Sequence, residues 1–127
     1  MIDIHSHILP GLDDGASDLE QAILMAKAAV EQGIHTVIAT PHHENGRFTN
    51  EAHVVAEQVK WFQEELRNRN ISLRIHPGQE IRVYRGLMDD LEAGRTTTLD
   101  GTNYMLLEFP SDRISSGIHD VLHELQL

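Results

Sequence analysis

Short apolar runs alternate with helix-like stretches along the whole of this 127-residue chain. Runs typical of buried strands occupy residues 1–4, 36–40, 71–75 and 104–109, and a stretch with helical character follows each of them. Four consecutive strand-then-helix units predict an α/β fold, a parallel sheet with right-handed crossovers and helices on the outside. The length is that of a single domain.

Two of the predicted helices have clear boundaries and apolar stripes. The first begins at a capping box over residues 17–20, ends at Gly33 and carries the stripe Leu19, Ile23, Ala26 and Val30. Asn50 is placed to cap the second, whose stripe is Ala52, Val55, Val59, Phe62 and Leu66. Shorter helices are predicted over residues 87–91 and 118–125.

The charge, hydropathy and cysteine content of the chain exclude several classes of partner and chemistry. The chain has 20 acidic and 10 basic side chains, with a formal net charge of -10 and no basic cluster, so we expect no nucleic-acid partner. No segment approaches the roughly 20 apolar residues that span a bilayer, and no signal-peptide pattern is present. We therefore expect no membrane insertion and a cytoplasmic location.

Cysteine is absent, which excludes thiolate zinc sites and cysteine nucleophiles.

Metal-ligand residue types stand at the ends of all four predicted strands. His5 and His7 follow the first strand, where alternate side chains share a face and could bind one cation. The other strand ends carry His42, His43, Glu80 and Glu108. Asp13 and Asp14, on the first loop, could join them. Because the carboxyl ends of parallel strands meet at one edge, where barrel and open-sheet sites are built, the pattern predicts a metal site.

The ligand types narrow the choice of metal. Imidazole and carboxylate ligands without thiolate suit Mn, Zn or Fe. Carboxylates that can bridge two ions suit a centre with more than one metal. From these residues alone, we expect Mn or Zn.

Five stretches of the sequence match the pattern of a known superfamily. They are Met-Ile-Asp-Ile-His-Ser-His-Ile-Leu-Pro at residues 1–10, Asp-Asp-Gly at 13–15, Ala-Thr-Pro-His-His at 39–43 with Asn-Gly at 45–46, Pro-Gly-Gln-Glu-Ile-Arg at 77–82, and Leu-Leu-Glu-Phe-Pro at 106–110. They resemble the N-terminal half of PHP-type (polymerase and histidinol phosphatase) metallophosphatases. Within that superfamily, the third and fourth stretches are specific to tyrosine-protein phosphatases encoded with bacterial capsule and exopolysaccharide genes.

The resemblance implies a trinuclear Mn-type centre in a distorted (β/α)7 barrel, with Zn or Fe as alternatives to Mn. The six implied ligands form three pairs: His5 with His7, Glu80 with Glu108, and Asp14 with His42. Glu80 would bridge the ion of the first pair to the ion that Glu108 also holds.

Three further residues are candidates for a catalytic role. Arg47 and Arg82 could clamp phosphate or substrate, although a solvated surface position is the commoner fate of an arginine. His43, beside a predicted ligand, could contact substrate or simply hold its loop.

The resemblance covers only the first half of the family pattern. The family continues into another strand with a His-Pro-Glu stretch and later an Asp-x-His, which would supply two more His ligands and one Asp. We therefore expect residues 1–127 to be the N-terminal part of one PHP domain, a truncated gene product or a fragment, without its C-terminal strands and ligands.

The function implied is metal-dependent hydrolysis of protein phosphotyrosine, linked to control of capsule or exopolysaccharide synthesis. The implied partner is a bacterial capsule-assembly tyrosine kinase. Two alternatives are kept. One is a catalytically dead truncated remnant or binding module, and the other is a PHP phosphatase acting on a small molecule such as histidinol phosphate.

Overall fold

Strands and helices alternate in the computed structural model, which describes residues 1–109 and 117–126. In chain order the elements are β1 (Ile2–Ser6), α1 (Leu19–Glu31), β2 (Thr36–Ala39), β3 (His42–His43), α2 (Ala52–Asn68), β4 (Arg74–Pro77), β5 (Glu80–Arg82), α3 (Leu87–Glu92), a 3-10 turn (Leu99–Gly101), β6 (Leu106–Glu108) and α4 (Ile118–Gln126). Pro110, the last residue of the fifth matched stretch, lies outside the described residues. Within the described part of the chain, no helix has both the length and the apolar character needed to cross a bilayer.

Two three-stranded parallel sheets replace the single sheet expected from the sequence. Their strand orders are β1-β2-β4 and β3-β5-β6. The second and third predicted strands are each followed by a short strand that the sequence does not predict: β3 follows β2 after Thr40 and Pro41, and β5 follows β4 after Gly78 and Gln79. Pro41 lacks a backbone N–H, so it cannot complete a ladder. A Cβ on Gly78 would lie 2.9 Å from Ile38 Cγ2, so only glycine fits this break.

The two added strands, β3 and β5, place ligand-type residues inside the second sheet. His42 is paired with Glu80 in the β3–β5 register, and Arg82 is paired with Glu108 in the β5–β6 register. The amide of Glu80 donates to the carbonyl of Pro41 across the break, at 3.0 Å. The breaks therefore bring these side chains together rather than ending the parallel arrangement.

The third predicted strand starts later than its apolar run. Its first residue closes the preceding helix instead: Ile71 follows Asn70, which has a positive φ of 56°, and the amide of Ile71 donates to the carbonyl of Leu66 at 2.9 Å. β4 therefore begins at Arg74 rather than at Ile71.

The predicted stripe of α1 was partly wrong. The helix caps on Asp18, whose side chain accepts from the amide of Gln21, and not on Ser17. Its buried residues are Ala22, Ile23 and Ala26. Val30, which its spacing assigns to the core, is 38% exposed, and the partly buried Ala29 packs against the core instead.

The stripe of α2 was predicted correctly, but its cap was not. Four members of the stripe are buried: Val55, Val59, Phe62 and Leu66. Glu51 precedes the helix, without a side-chain cap bond. Asn50 does not cap the helix. It is buried, and its side-chain amide donates to the carbonyls of Leu12 and His42, at 3.0 and 2.8 Å. These bonds join the first loop to β3.

Candidate metal centre

Ligand-type side chains from β1, the first loop, β3, β5 and β6 converge in three overlapping groups. Within each group, one ligand atom of every residue lies within 4.8 Å of the others. The groups are His5, His7 and Glu80; His42, Glu80 and Glu108; and His7, Asp13, Asp14 and His42. All six sequence-predicted ligands are therefore brought together, and Asp13 joins them.

One carboxylate oxygen, Oε2 of Glu80, is at the centre of the first two groups. It lies 2.9 Å from His7 Nε2, 3.1 Å from His5 Nε2 and 3.5 Å from His42 Nδ1. The two Nε2 atoms of His5 and His7 are also only 3.3 Å apart. Three imidazole nitrogens this close to one carboxylate oxygen leave positions where a cation could be held between ring and carboxylate. Glu80 is placed to bridge two such cations.

Two buried polar atoms in the second group fit a cation. Nδ1 of His42 and Oε2 of Glu108 lie 3.4 Å apart, and neither has a hydrogen-bond partner among the described residues. An unsatisfied buried polar group costs about 1–3 kcal/mol, which a bound ion would offset. The second oxygen of Glu108 accepts from Nη2 of Arg82 at 3.2 Å, which fixes the direction of its carboxylate. The donor set of imidazole and carboxylate fits Mn, Zn or Fe.

Asp13 and Asp14 have different surroundings in the third group. Asp14 is more than half exposed and its Oδ1 lies 3.4 Å from His42 Nε2. The side chain of Asp13 is 1% exposed and already accepts three hydrogen bonds, from His7 Nδ1 at 2.8 Å and from the amides of His42 and Gly15 at 2.9 Å each. Asp13 therefore keeps the proton of His7 on Nδ1 and leaves Nε2 directed at Glu80, as carboxylates behind metal-binding histidines do.

The same contact shifts the pKa of both partners. The hydrogen bond to Asp13 raises the pKa of His7 above 6.5, against the opposing effect of burial. Burial raises the pKa of Asp13, but hydrogen bonds from His7 and from the amides of Gly15 and His42 outweigh it and leave that pKa below 3.8. Asp13 is thus an anion at neutral pH despite its burial.

Replacing Asp13 by Asn should lower the pKa of His7 in the metal-free protein. The amide removes the charge and the strong acceptor that raise this pKa, while the burial that lowers it remains. The pKa is measured by NMR titration of the His7 Hε1 resonance. Asp18→Asn is the control, because it removes a carboxylate that caps α1 and should leave the His7 titration unchanged. An unchanged pKa of His7 in Asp13→Asn would contradict this assignment.

The three catalytic candidates have different positions. His43 is buried, with Nδ1 3.1 Å from the carbonyl of Asn50 and Nε2 3.3 Å from the hydroxyl of Tyr84, and it belongs to none of the three groups. Its contacts are those of a residue that holds its loop. Arg82 contacts Glu108, and Arg47 is exposed with its guanidinium carbon 5.0 Å from the centre of the Phe48 ring.

Two residues at the centre were not identified from the sequence. Phe48 stacks on His42, and no spacing pattern in its loop indicates this. Gly15 lies so close to His7 that a Cβ would be 2.3 Å from the His7 carbonyl oxygen. The sequence signal for Gly15 was its position directly after two candidate ligands, Asp13 and Asp14, because a glycine there allows another backbone segment to approach closely.

The chain is similar to known proteins over its whole length. The family model described as capsular polysaccharide synthesis, CpsB/CapC, matches residues 1–127. The chain is 46% identical over 127 residues to tyrosine-protein phosphatase YwqE of Bacillus subtilis (strain 168), covering 100% of the chain and 50% of that relative. It is 30% identical over 125 residues to tyrosine-protein phosphatase CpsB of Streptococcus pneumoniae, covering 98% of the chain and 51% of the relative.

A solved structure is similar over nearly the whole chain. It comes from a crystallographic study of YwqE from Bacillus subtilis and CpsB from Streptococcus pneumoniae, described there as unique metal-dependent tyrosine phosphatases. The superposition has a TM-score of 0.94 at 46% identity and covers 99% of this chain and 51% of the solved one. The chain thus spans about half the length of the relatives it matches.

Proposed function

The chain belongs to the CpsB/CapC family of capsular polysaccharide synthesis, and from this membership we propose that it carries the metal-binding part of a phosphotyrosine-protein phosphatase. The observation that carries the proposal is the convergence of three imidazole nitrogens on Oε2 of Glu80. The matched relatives are named tyrosine-protein phosphatases, which supports phosphotyrosine over histidinol phosphate as the substrate.

The proposed ligands are the six residues predicted from the sequence, with Mn as the favoured ion and Zn or Fe as alternatives. Their three carboxylates carry a formal charge of about −3, whereas three divalent ions would carry about +6, so the centre would attract a phosphate dianion despite the acidic protein. Bound ions would neutralise charge on the phosphoryl oxygens and activate the attacking water. With no cysteine in the chain, a thiolate phosphoenzyme has no nucleophile here.

The surrounding residues would orient the ligands and the substrate. Asp13 fixes the ring of His7, and Arg82 fixes the carboxylate of Glu108. Arg47, exposed on the loop beside His42, is proposed to meet the phosphate or the peptide that carries it. His43 is proposed to support the loop through Asn50 and Tyr84 rather than to touch substrate.

We further propose that the two sheets are the first half of a PHP-type distorted (β/α)7 barrel, of which residues 1–127 form the N-terminal part. The parallel strands, and the edge position of β1 with Ile2 and Ile4 exposed, support this arrangement. The proposed partner is a capsule-assembly tyrosine kinase in the cytoplasm, where its phosphotyrosines would be the substrate. The family's association with capsular polysaccharide synthesis supports this setting.

The test is Mn-dependent hydrolysis of a phosphotyrosine peptide by the purified chain. We expect turnover that requires Mn and falls at least about 100-fold in the double variant His5→Ala/His7→Ala, because both rings are directed at Glu80. The matched control is His53→Ala/His119→Ala, two exposed histidines outside the three groups, which should retain full turnover.

Two results would contradict the proposal. Equal turnover in both double variants would place the chemistry elsewhere in the chain. A folded chain that binds no Mn would contradict the metal centre itself, whereas Mn binding without hydrolysis would favour the binding-module alternative for these residues.

A further inference from the structure

The loop between β3 and α2 places an aromatic ring against one of the proposed metal ligands. The rings of Phe48 and His42 are nearly parallel, with an interplanar angle of 16° and centroids 6.5 Å apart. The ring of His42 also stacks on His7, at 4.6 Å and 29°. These separations are within the range over which aromatic pairs interact.

The orientation of His42 is important because its two ring nitrogens face different carboxylates. Nε2 lies 3.4 Å from Asp14, whereas Nδ1 lies 3.5 Å from Glu80 and 3.4 Å from Glu108. Turning the ring about the Cβ–Cγ bond would move both nitrogens away from these oxygens. Yet Nδ1 has no hydrogen-bond partner among the described residues, and Asp14 is largely exposed. Packing must therefore supply the restraint that hydrogen bonds supply to His7.

The loop holds Phe48 in place through its own contacts. Oδ1 of Asn45 accepts from the amides of Arg47 and Phe48, at 3.0 and 2.8 Å. Gly46 between them has a φ of 85°, which glycine adopts without strain. The guanidinium of Arg47 lies over the Phe48 ring, 5.0 Å from its centroid, and no carboxylate of residues 1–109 and 117–126 lies within 4.0 Å of it. Arg47 is thus available to hold the Phe48 ring by a cation–π contact.

We propose that Phe48 is a positioning residue for the metal centre, holding the imidazole plane of His42 so that its two nitrogens face Asp14 and the Glu80–Glu108 pair. The proposal rests on the proposed metal centre and adds a residue that binds no ion itself. Residues that orient a ligand typically change metal affinity by about 10- to 100-fold when replaced.

The test compares Phe48→Leu with Phe48→Tyr, since Tyr keeps the ring and Leu keeps only the apolar bulk. Tyr104→Leu removes an exposed aromatic ring outside the three groups and is the control. Two quantities are measured: the Mn affinity by calorimetry, and the NOEs in the metal-free chain between the ring protons of His42 and His7, whose rings lie 4.6 Å apart. We expect Phe48→Leu to weaken Mn binding about tenfold and to weaken these NOEs, because the imidazole of His42 turns away from its present plane. Phe48→Tyr and the control should match the unmodified chain.

The outcomes separate this proposal from the proposed function. If the unmodified chain binds no Mn, the metal centre fails, and the NOEs between His42 and His7 alone then decide whether Phe48 positions the ring. Unchanged NOEs in Phe48→Leu would overturn the proposal. Weakened NOEs with unchanged Mn affinity would also overturn it, because the ring would then be free to move without consequence for the ions. Mn binding as weak in Phe48→Tyr as in Phe48→Leu would also overturn the proposal, because Tyr keeps the aromatic ring that is proposed to hold His42.

Discussion

Replacing Glu80 by Gln should lower the Mn affinity of the chain by at least about 100-fold and abolish any Mn-dependent hydrolysis. Oε2 of Glu80 lies within 3.5 Å of nitrogens from three different imidazoles. Gln keeps the shape of the side chain but loses the negative charge and the ability to bridge two ions. Because Glu80 belongs to two of the three ligand groups, both groups lose their common member.

The affinity is measured by calorimetry, together with thermal unfolding in the presence of a chelator. Glu57→Gln is the matched control, an exposed glutamate on α2 outside the three groups, and it should bind Mn as the unmodified chain does. The stability without metal should change little, since the proposed role of Glu80 is to hold ions. Retained Mn affinity in Glu80→Gln would mean that the ions bind elsewhere or that Glu80 is not a ligand.

Replacing Gly15 by Ala should destabilise the chain by about 3 kcal/mol and also weaken Mn binding. A Cβ at this position would lie 2.3 Å from the carbonyl oxygen and 2.4 Å from the Cβ of His7. Neither atom of His7 can move without its backbone. The His7 carbonyl is also held in place, because it accepts a hydrogen bond from the amide of Ala16 at 3.1 Å. The backbone of β1 or of the loop must shift, and the bonds of Asp13 to Gly15 and His7 shift with it.

Urea unfolding measures the stability, and calorimetry measures Mn binding. Gly94→Ala is the control: its φ of 76° imposes left-handed strain of about 1–2 kcal/mol on alanine, but no atom lies within 4 Å of the added carbon. A loss of stability in Gly15→Ala no larger than in the control, with normal Mn binding, would contradict the close packing of Gly15 on His7.

The parts of the fold that follow local periodicity could be predicted from the sequence. The stripe of α2 is regular over its length, and Val55, Val59, Phe62 and Leu66 are buried as expected. The parts that depend on distant contacts could not. Asn50 has the chemistry of a helix cap, but carbonyls from two other segments, Leu12 and His42, compete for its side chain and prevail.

The two added strands show the same dependence on tertiary contacts. The sequence predicts that a strand ends at Pro41, but the resumption of pairing at His42 follows from the amide of Glu80 reaching the carbonyl of Pro41. Gly78, between β4 and β5, lies where Ile38 and Leu99 leave little room for a side chain. Neither contact can be read from spacing, since both join segments far apart in the chain.

The candidate ligands were identified from the sequence because they recur at strand ends, but their individual geometry was not. The residue pattern alone offers Asp13 and Asp14 as equivalents, and only the family resemblance selects Asp14. In the structure, Asp13 is buried behind His7 with three hydrogen bonds, whereas Asp14 is exposed and faces His42. Which of two adjacent carboxylates turns inward is decided by the fold of the loop around Gly15.

The most direct test of the metal centre is anomalous scattering from crystals of the chain soaked in Mn. We expect an anomalous peak about 2.0–2.4 Å from Oε2 of Glu80 and within the same range of Nε2 of His5 or His7, because these three atoms lie only 2.9–3.3 Å from one another. An anomalous map without a peak near Glu80, with the imidazoles still hydrogen-bonded to its carboxylate, would contradict the account.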